Sequence, residues 1–168
     1  MTGTHLARSV SSSAHDFISD LPPLMAVVNE AFQVERFFLI GDRLDPERTR
    51  QYFEKGRFLL AGEGGELAGC VYVEIHGNRS YLGVLSVNPP RQKCGLGRQL
   101  VVAAEESARK MGACHMDLAV VNLRTELPSL YEKLGYTVTG TQPAHEDLAH
   151  RVSQPCHLIR MSKQLCEG

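Results

Sequence analysis

The sequence predicts an α/β domain: a mixed, mostly antiparallel sheet flanked by helices. Three observations carry this. Glycine-centred turns at 64–65 and 77–78 join three β-rich runs over 57–87, which makes antiparallel hairpins. A strand–helix–strand unit follows over 80–121, and such a crossover brings in a parallel neighbour. The chain has 168 residues, 43% hydrophobic and 22% charged, which suits one domain with a core that needs no metal or disulfide.

The elements follow in order. Residues 1–15, with the serine run at 11–13, read as a mobile lead-in, unless HLARSV (5–10) adds an early strand. Residues 22–33 open with two prolines and place Leu24, Val27, Val28, Ala31 and Phe32 at helical spacing. Phe37 and Phe38 follow as an exposed-looking pair. Asp45 caps a short helix that ends at Gly56. RFLLAGE (57–63), ELAGCVYVEIH (66–76) and RSYLGVLSV (79–87) are strands. Leu96, Leu100, Val101, Ala104 and Ala108 form one stripe of a helix ended by Gly112. CHMDLAVV (114–121) is a strand. TELPSLYEKLG (125–135) is a short helix with Thr125 as its cap, and YTVTGT (136–141) and PCHLIRMSKQL (155–165) are the last strands.

Several function classes are excluded. The formal net charge is −1, which argues against a general nucleic-acid binder. No apolar run reaches membrane-spanning length, and the N-terminus lacks a signal-peptide core, so the default location is cytoplasmic. The five cysteines are widely spaced and without a CxxC, and read as reduced thiols, mostly buried. Cys94 is the exception, since it sits in a glycine loop.

That loop is PPRQKCGLGRQ (89–99). It lacks the third glycine of a dinucleotide-binding turn and the lysine of a Walker A loop. Its physics is more general. A strand runs into a helix that begins near Leu96, so free N–H groups and the positive helix end face one place. Gly95 and Gly97 let a ligand approach the backbone, and Gln92, Lys93 and Arg98 stand at the rim. This is a diphosphate site.

Val87-x-Pro89-x-x-Gln92-x-x-Gly95-x-Gly97 resembles the acetyl-CoA signature of the GNAT superfamily of N-acetyltransferases, Gln/Arg-x-x-Gly-x-Gly/Ala. Leu130-Tyr131-Glu132-Lys133-Leu134-Gly135-Tyr136 is similar to the family's LYEKLGF segment. The resemblance spans about residues 22–164. It implies a splayed parallel strand pair, with Leu85, Ser86 and Val87 pairing with the pantetheine arm and one N–H polarising the thioester carbonyl. Backbone N–H groups of Gln92, Lys93, Cys94, Gly95, Leu96, Gly97 and Arg98 would hold the pyrophosphate. Tyr131 would protonate the departing thiolate. Where many members carry Asn and Ala before that tyrosine, this chain has Arg124 and Leu127, which puts a CoA contact by Asn122 or Arg124 in doubt.

The general base has no acid on strand 79–87. The nearest is Glu74, which by alternation shares a face with Tyr72 and His76. The acceptor amine is expected around Phe37, Phe38, Tyr72 and Asp42, and near the late loop 142–154. His145 and His150 in that loop are five apart and do not form an H-E-x-x-H zinc site, so no metal is expected. The resulting expectation is an acetyl-CoA-dependent N-acetyltransferase. It would use a small-molecule primary amine, by direct attack in a ternary complex, with no nucleic acid or membrane partner. A homodimer stays open. The alternatives are a non-catalytic acyl-CoA-binding module and an acetyltransferase of protein N-termini or lysines.

Overall fold

Among the described residues, seven strands form one sheet, running across it in the order 5–10, 57–63, 66–76, 79–87, 115–121, 157–164 and 137–143. The structure is a computed structural model. It describes residues 5–10, 14–63 and 66–167, and side chains within 21–62 and 66–167. In chain order the elements are β1 (His5–Val10), α1 (Ala14–Ala31), α2 (Pro46–Lys55), β2 (Arg57–Glu63), β3 (Glu66–His76), β4 (Arg79–Val87), α3 (Leu96–Lys110), β5 (His115–Val121), α4 (Leu127–Lys133), β6 (Thr137–Pro143), α5 (Glu146–Ala149) and β7 (His157–Gln164). Short 3-10 turns lie at Phe32–Glu35 and Pro89–Arg91. All neighbouring strands are antiparallel except β4 and β5, as expected of a mostly antiparallel mixed sheet.

Part of the expected lead-in and the turn at 64–65 lie outside the described residues. Residues 5–10 do form a strand, paired with β2. Helix α1 starts earlier than its prolines suggested and carries Pro22 and Pro23 inside. Its register is set by Leu24 and Val28, which are buried against the sheet, so packing outweighs the two missing N–H donors. Asp45 caps α2 as expected, accepting from the Arg48 N–H at 2.8 Å. Thr125 does not cap α4. The N-cap is Glu126, without a side-chain cap bond, and Pro128 occupies the first turn.

Each sheet face has its own core. On one, α3 packs Leu96, Leu100, Val101, Ala104 and Ala108 against Val71, Val73, Leu82, Met116 and Leu118. On the other, α1 and α2 pack Leu24, Val28 and Phe53 against Phe58, Cys70, Tyr72 and Val84. Among the described residues no helix is long and apolar enough to cross a membrane.

The reading of all cysteines as reduced thiols is corrected. Cys114 and Cys166 form a disulfide, with Cα atoms 4.9 Å apart. The two flank the β5–β7 ladder, where His115 pairs Gln164 and the Leu165 N–H donates to the Cys114 carbonyl at 2.7 Å. A separation of 52 residues hid this from spacing alone. Cys70 is a buried free thiol, whereas free Cys94 is exposed and Cys156 half-buried.

Candidate active site

The parallel pairing of β4 with β5 covers only Arg79, Ser80 and Tyr81 against His115, Met116 and Asp117. Beyond Tyr81 the two strands separate, while β4 stays paired to β3 as far as Val87. One backbone edge of β4 therefore faces a gap over Leu82–Val87. Within it Val84 takes a positive φ of 52°, and the β3–β4 register shifts by one residue. This is a β-bulge, and it re-aims the strand. Leu82, Leu85 and Val87 face the α3 core, and Tyr81 and Val84 the other. The Ser86 hydroxyl donates to the Val84 carbonyl at 3.0 Å, which pins the bulge.

The glycine loop follows directly. Lys93 and Gly95 both take the left-handed conformation, with φ of 64° and 85°. The first intrahelical donor at the start of α3 is the Gln99 N–H, bonded to the Gly95 carbonyl at 3.1 Å. The N–H groups from Lys93 to Arg98 have no described backbone acceptor and form a concave donor array at a helix start. The Gln92 side chain donates to the Val87 carbonyl at 3.1 Å, so it braces the loop against the strand. The Cys94 thiol donates to the Arg91 carbonyl at 2.6 Å, a local loop contact. This donor array suits a diphosphate, and the open β4 edge beside it suits an extended amide-bearing arm.

Tyr131, on α4, is 6% exposed and meets Tyr136 edge-on at 5.9 Å. Burial, then the nearby Tyr81, pushes its hydroxyl up to about 12, and Arg124 partly offsets this. A phenol held there stays protonated at neutral pH and can donate. Tyr81 is likewise pushed up to about 12, by burial first and Tyr52 second. Its ring lies over Gly83, where a Cβ would come within 2.9 Å of it. Sequence reasoning missed Tyr81, which alternation alone left as one strand residue among many.

Tyr72, Glu74 and His76 do share a face. The Glu74 carboxylate sits 2.9 Å from the Tyr72 hydroxyl on one oxygen and 2.9 Å from the His76 Nε2 on the other. Its side chain is 15% exposed. Tyr72 and Phe38, expected at the acceptor, are both enclosed by the protein. Both are 0% exposed, because Tyr72 packs between Tyr52 and Phe58 and Phe38 is sealed beneath the late loop. Phe37 is 54% exposed and remains available. This segment and the late loop meet. Leu39 bridges Val152, the Ile40 N–H donates to the Arg151 carbonyl at 2.7 Å, and Arg151 bonds the Asp42 carbonyl. His145 is spent as the cap of α5, its Nδ1 accepting from the Leu148 N–H.

A second set of polar residues was not foreseen. Glu35 is buried in the turn after α1 and pairs with Arg124 at 3.0 Å, and Arg124 also holds Glu126 at 2.6 Å. Burial raises Glu35 above the ordinary carboxylate range, and Arg124 offsets only part of this. A carboxyl raised in the folded state costs folding stability as pH rises from its unfolded to its folded value. Arg43 lies over the Phe32 ring at 5.4 Å and donates to the Tyr52 hydroxyl at 3.3 Å. Asn122 accepts from the His157 N–H at 2.8 Å and ties β5 to β7. Burial of an acid and pairing across 89 residues leave no local pattern to read.

Beside Tyr81 a groove of about 520 Å³ runs over the open sheet face, lined also by Ala119, Gln142 and Arg160.

Comparison with known proteins agrees with this geometry. Residues 25–136 match the model of the acetyltransferase (GNAT) family. The chain is 36% identical over 98 residues to the uncharacterized N-acetyltransferase YvbK of Bacillus subtilis, covering 56% of this chain and 63% of that protein. It is 31% identical over 102 residues to a mycothiol acetyltransferase of Thermobispora bispora, covering 55% of this chain and 35% of that one. The match thus spans less than two thirds of these relatives. In fold, the chain is similar to the ribosomal-protein-S18-alanine N-acetyltransferase of Escherichia coli, with a TM-score of 0.75 at 17% identity over 100% of this chain and 96% of that one. It is also similar in fold to the yncA protein of Salmonella typhimurium, solved with its cofactor acetyl-CoA, with a TM-score of 0.71 at 20% identity over the same shares. With the splayed strand pair, the loop and the α4 tyrosine in the family's order, the chain belongs to the GNAT family of acetyltransferases.

Proposed function

We propose that the chain is an acetyl-CoA-dependent N-acetyltransferase that acylates the primary amine of a small molecule by direct attack in a ternary complex. The observation that carries the reading is the gap between β4 and β5, with the donor array of Lys93–Arg98 following β4 and Tyr131 of α4 in the same core as Leu82 and Leu118. Acetyl-CoA supplies the acetyl thioester. Leu85, Ser86 and Val87 would align the pantetheine arm through their backbone, and the loop from Gln92 to Arg98 would hold the pyrophosphate. Tyr131, held protonated by burial, would give its proton to the departing thiolate. Glu74 would take the proton lost by the ammonium, directly or through water, with Tyr72 and His76 fixing its carboxylate. The small-molecule acceptor is favoured by the mycothiol acetyltransferase relative. We read the whole chain as a single domain.

Calorimetry with acetyl-CoA and a thiol-release assay across an amine panel test this. Tyr131→Phe and Glu74→Gln are each expected to lower kcat by about 100-fold while CoA affinity is kept. Binding of acetyl-CoA with no turnover of any amine would mean a non-catalytic acyl-CoA-binding module instead. Turnover confined to peptide termini or lysines would replace the small-molecule acceptor with a protein.

A further inference from the structure

Resting on that functional reading, we infer that the acceptor amine also carries a carboxylate, and that Arg43 is the residue that binds it. Arg43 is a half-buried guanidinium, and among the described residues it has no carboxylate within ion-pair distance. Its contacts are the face of Phe32 and the Tyr52 hydroxyl, neither of which neutralises it. The carboxylate within its electrostatic reach, Glu35, is bonded to Arg124. A cation removed from bulk water without a counter-ion is costly, and a site built to receive an anion accounts for that cost.

The position of Arg43 is prepared. Asn29 on α1 accepts from the Leu44 N–H at 2.8 Å and donates to the Leu44 carbonyl at 2.9 Å. The backbone next to Arg43 is therefore clamped to a helix. Arg43 is also joined to the proposed base. It donates to the Tyr52 hydroxyl, the Tyr52 ring packs against Tyr72 at 4.6 Å, and the Tyr72 hydroxyl meets Glu74. Tyr81 lies near both Arg43 and Glu74. A cation without a carboxylate partner and an acid, joined through two tyrosines with a third near both, match the two ends of an amino acid. The carboxylate would take the planar fork of Arg43, and the ammonium would face Glu74.

Calorimetry with acetyl-CoA comes first, followed by thiol release with α-, β- and γ-amino acids and an aminobenzoate, each beside its carboxamide. The acids should exceed their amides in kcat/KM. Arg43→Gln should lower kcat/KM for the acids by about 100-fold, mostly through KM, should lower it far less for the amides, and should keep the affinity for CoA. Arg43→Lys should restore part of the loss, because an ammonium keeps the charge without the fork. Acetyl-CoA binding with equal turnover of acids and amides, or an Arg43→Gln variant that loses both alike, overturns this inference alone. No heat with acetyl-CoA overturns the functional reading, and this inference with it.

Discussion

The two tyrosines at the site, Tyr131 and Tyr81, are both held near 12 by burial. An acid catalyst loses activity as pH rises through its folded-state value. The rate is therefore expected to stay flat from about pH 8 to about pH 10.5, where a phenol of ordinary pKa near 10 would have lost its proton. A kcat profile with saturating acceptor checks this, and a basic limb centred near 10 would remove Tyr131 from the acid role. Tyr131 was legible in the sequence because its neighbours Leu130 to Tyr136 carry a local pattern. Gln92, Gly95 and Gly97 were legible for the same reason: a loop that must bend at fixed places leaves a fixed spacing. Glu35, Arg43 and Arg124 left no such trace. Their meaning arises from pairing between the turn after α1, the segment before α2 and the entry to α4, and no periodicity reports which distant residue fills a partner's charge. The burial of Phe38 and Tyr72 was hidden for a related reason, since alternation names a face but not what covers it.

At the scale of elements, β4 organises the site through its bulge and its release from β5. The strand itself was legible from its apolar pattern. The bulge was not, because Val84 is a residue type that seldom takes positive φ, and only the frame of β3 and Ser86 holds it there. Gly83 beside it is expected to be sensitive. In Gly83→Ala the new Cβ collides with the edge of the Tyr81 ring, which can swing aside. Stability should then fall by about 1–3 kcal/mol, while kcat/KM falls about tenfold because Tyr81 is displaced. Thermal melting and steady-state rates measure the two separately. An unaltered kcat/KM would mean that Tyr81 has no part in acceptor binding. Helix α1 teaches a complementary point. Two prolines marked a start by local rules, yet the helix runs through them because its buried face meets the sheet.

For the whole molecule, the hairpins and the single crossover made the sheet legible, and the disulfide was its main surprise. It joins the end of the α3–β5 connection to the segment after β7. Denatured, unreduced protein should therefore show three reactive thiols of its five. Cys166→Ser should lower unfolding free energy by about 2–4 kcal/mol, as expected for removing the closure of a loop of this length. Five reactive thiols in the unreduced protein would contradict the pairing. The strand order carries one more consequence. Strand β7 is the last strand in the chain, yet it lies between β5 and β6 and pairs with both. During synthesis, β6 has no partner and β5 only its three-residue contact with β4 until residues 157–164 are available. The half of the sheet that borders the reactive gap is thus completed late, by the last strand of the chain. Until then two strand edges stand unpaired, and the nascent chain's vulnerability to misassembly is concentrated in that interval.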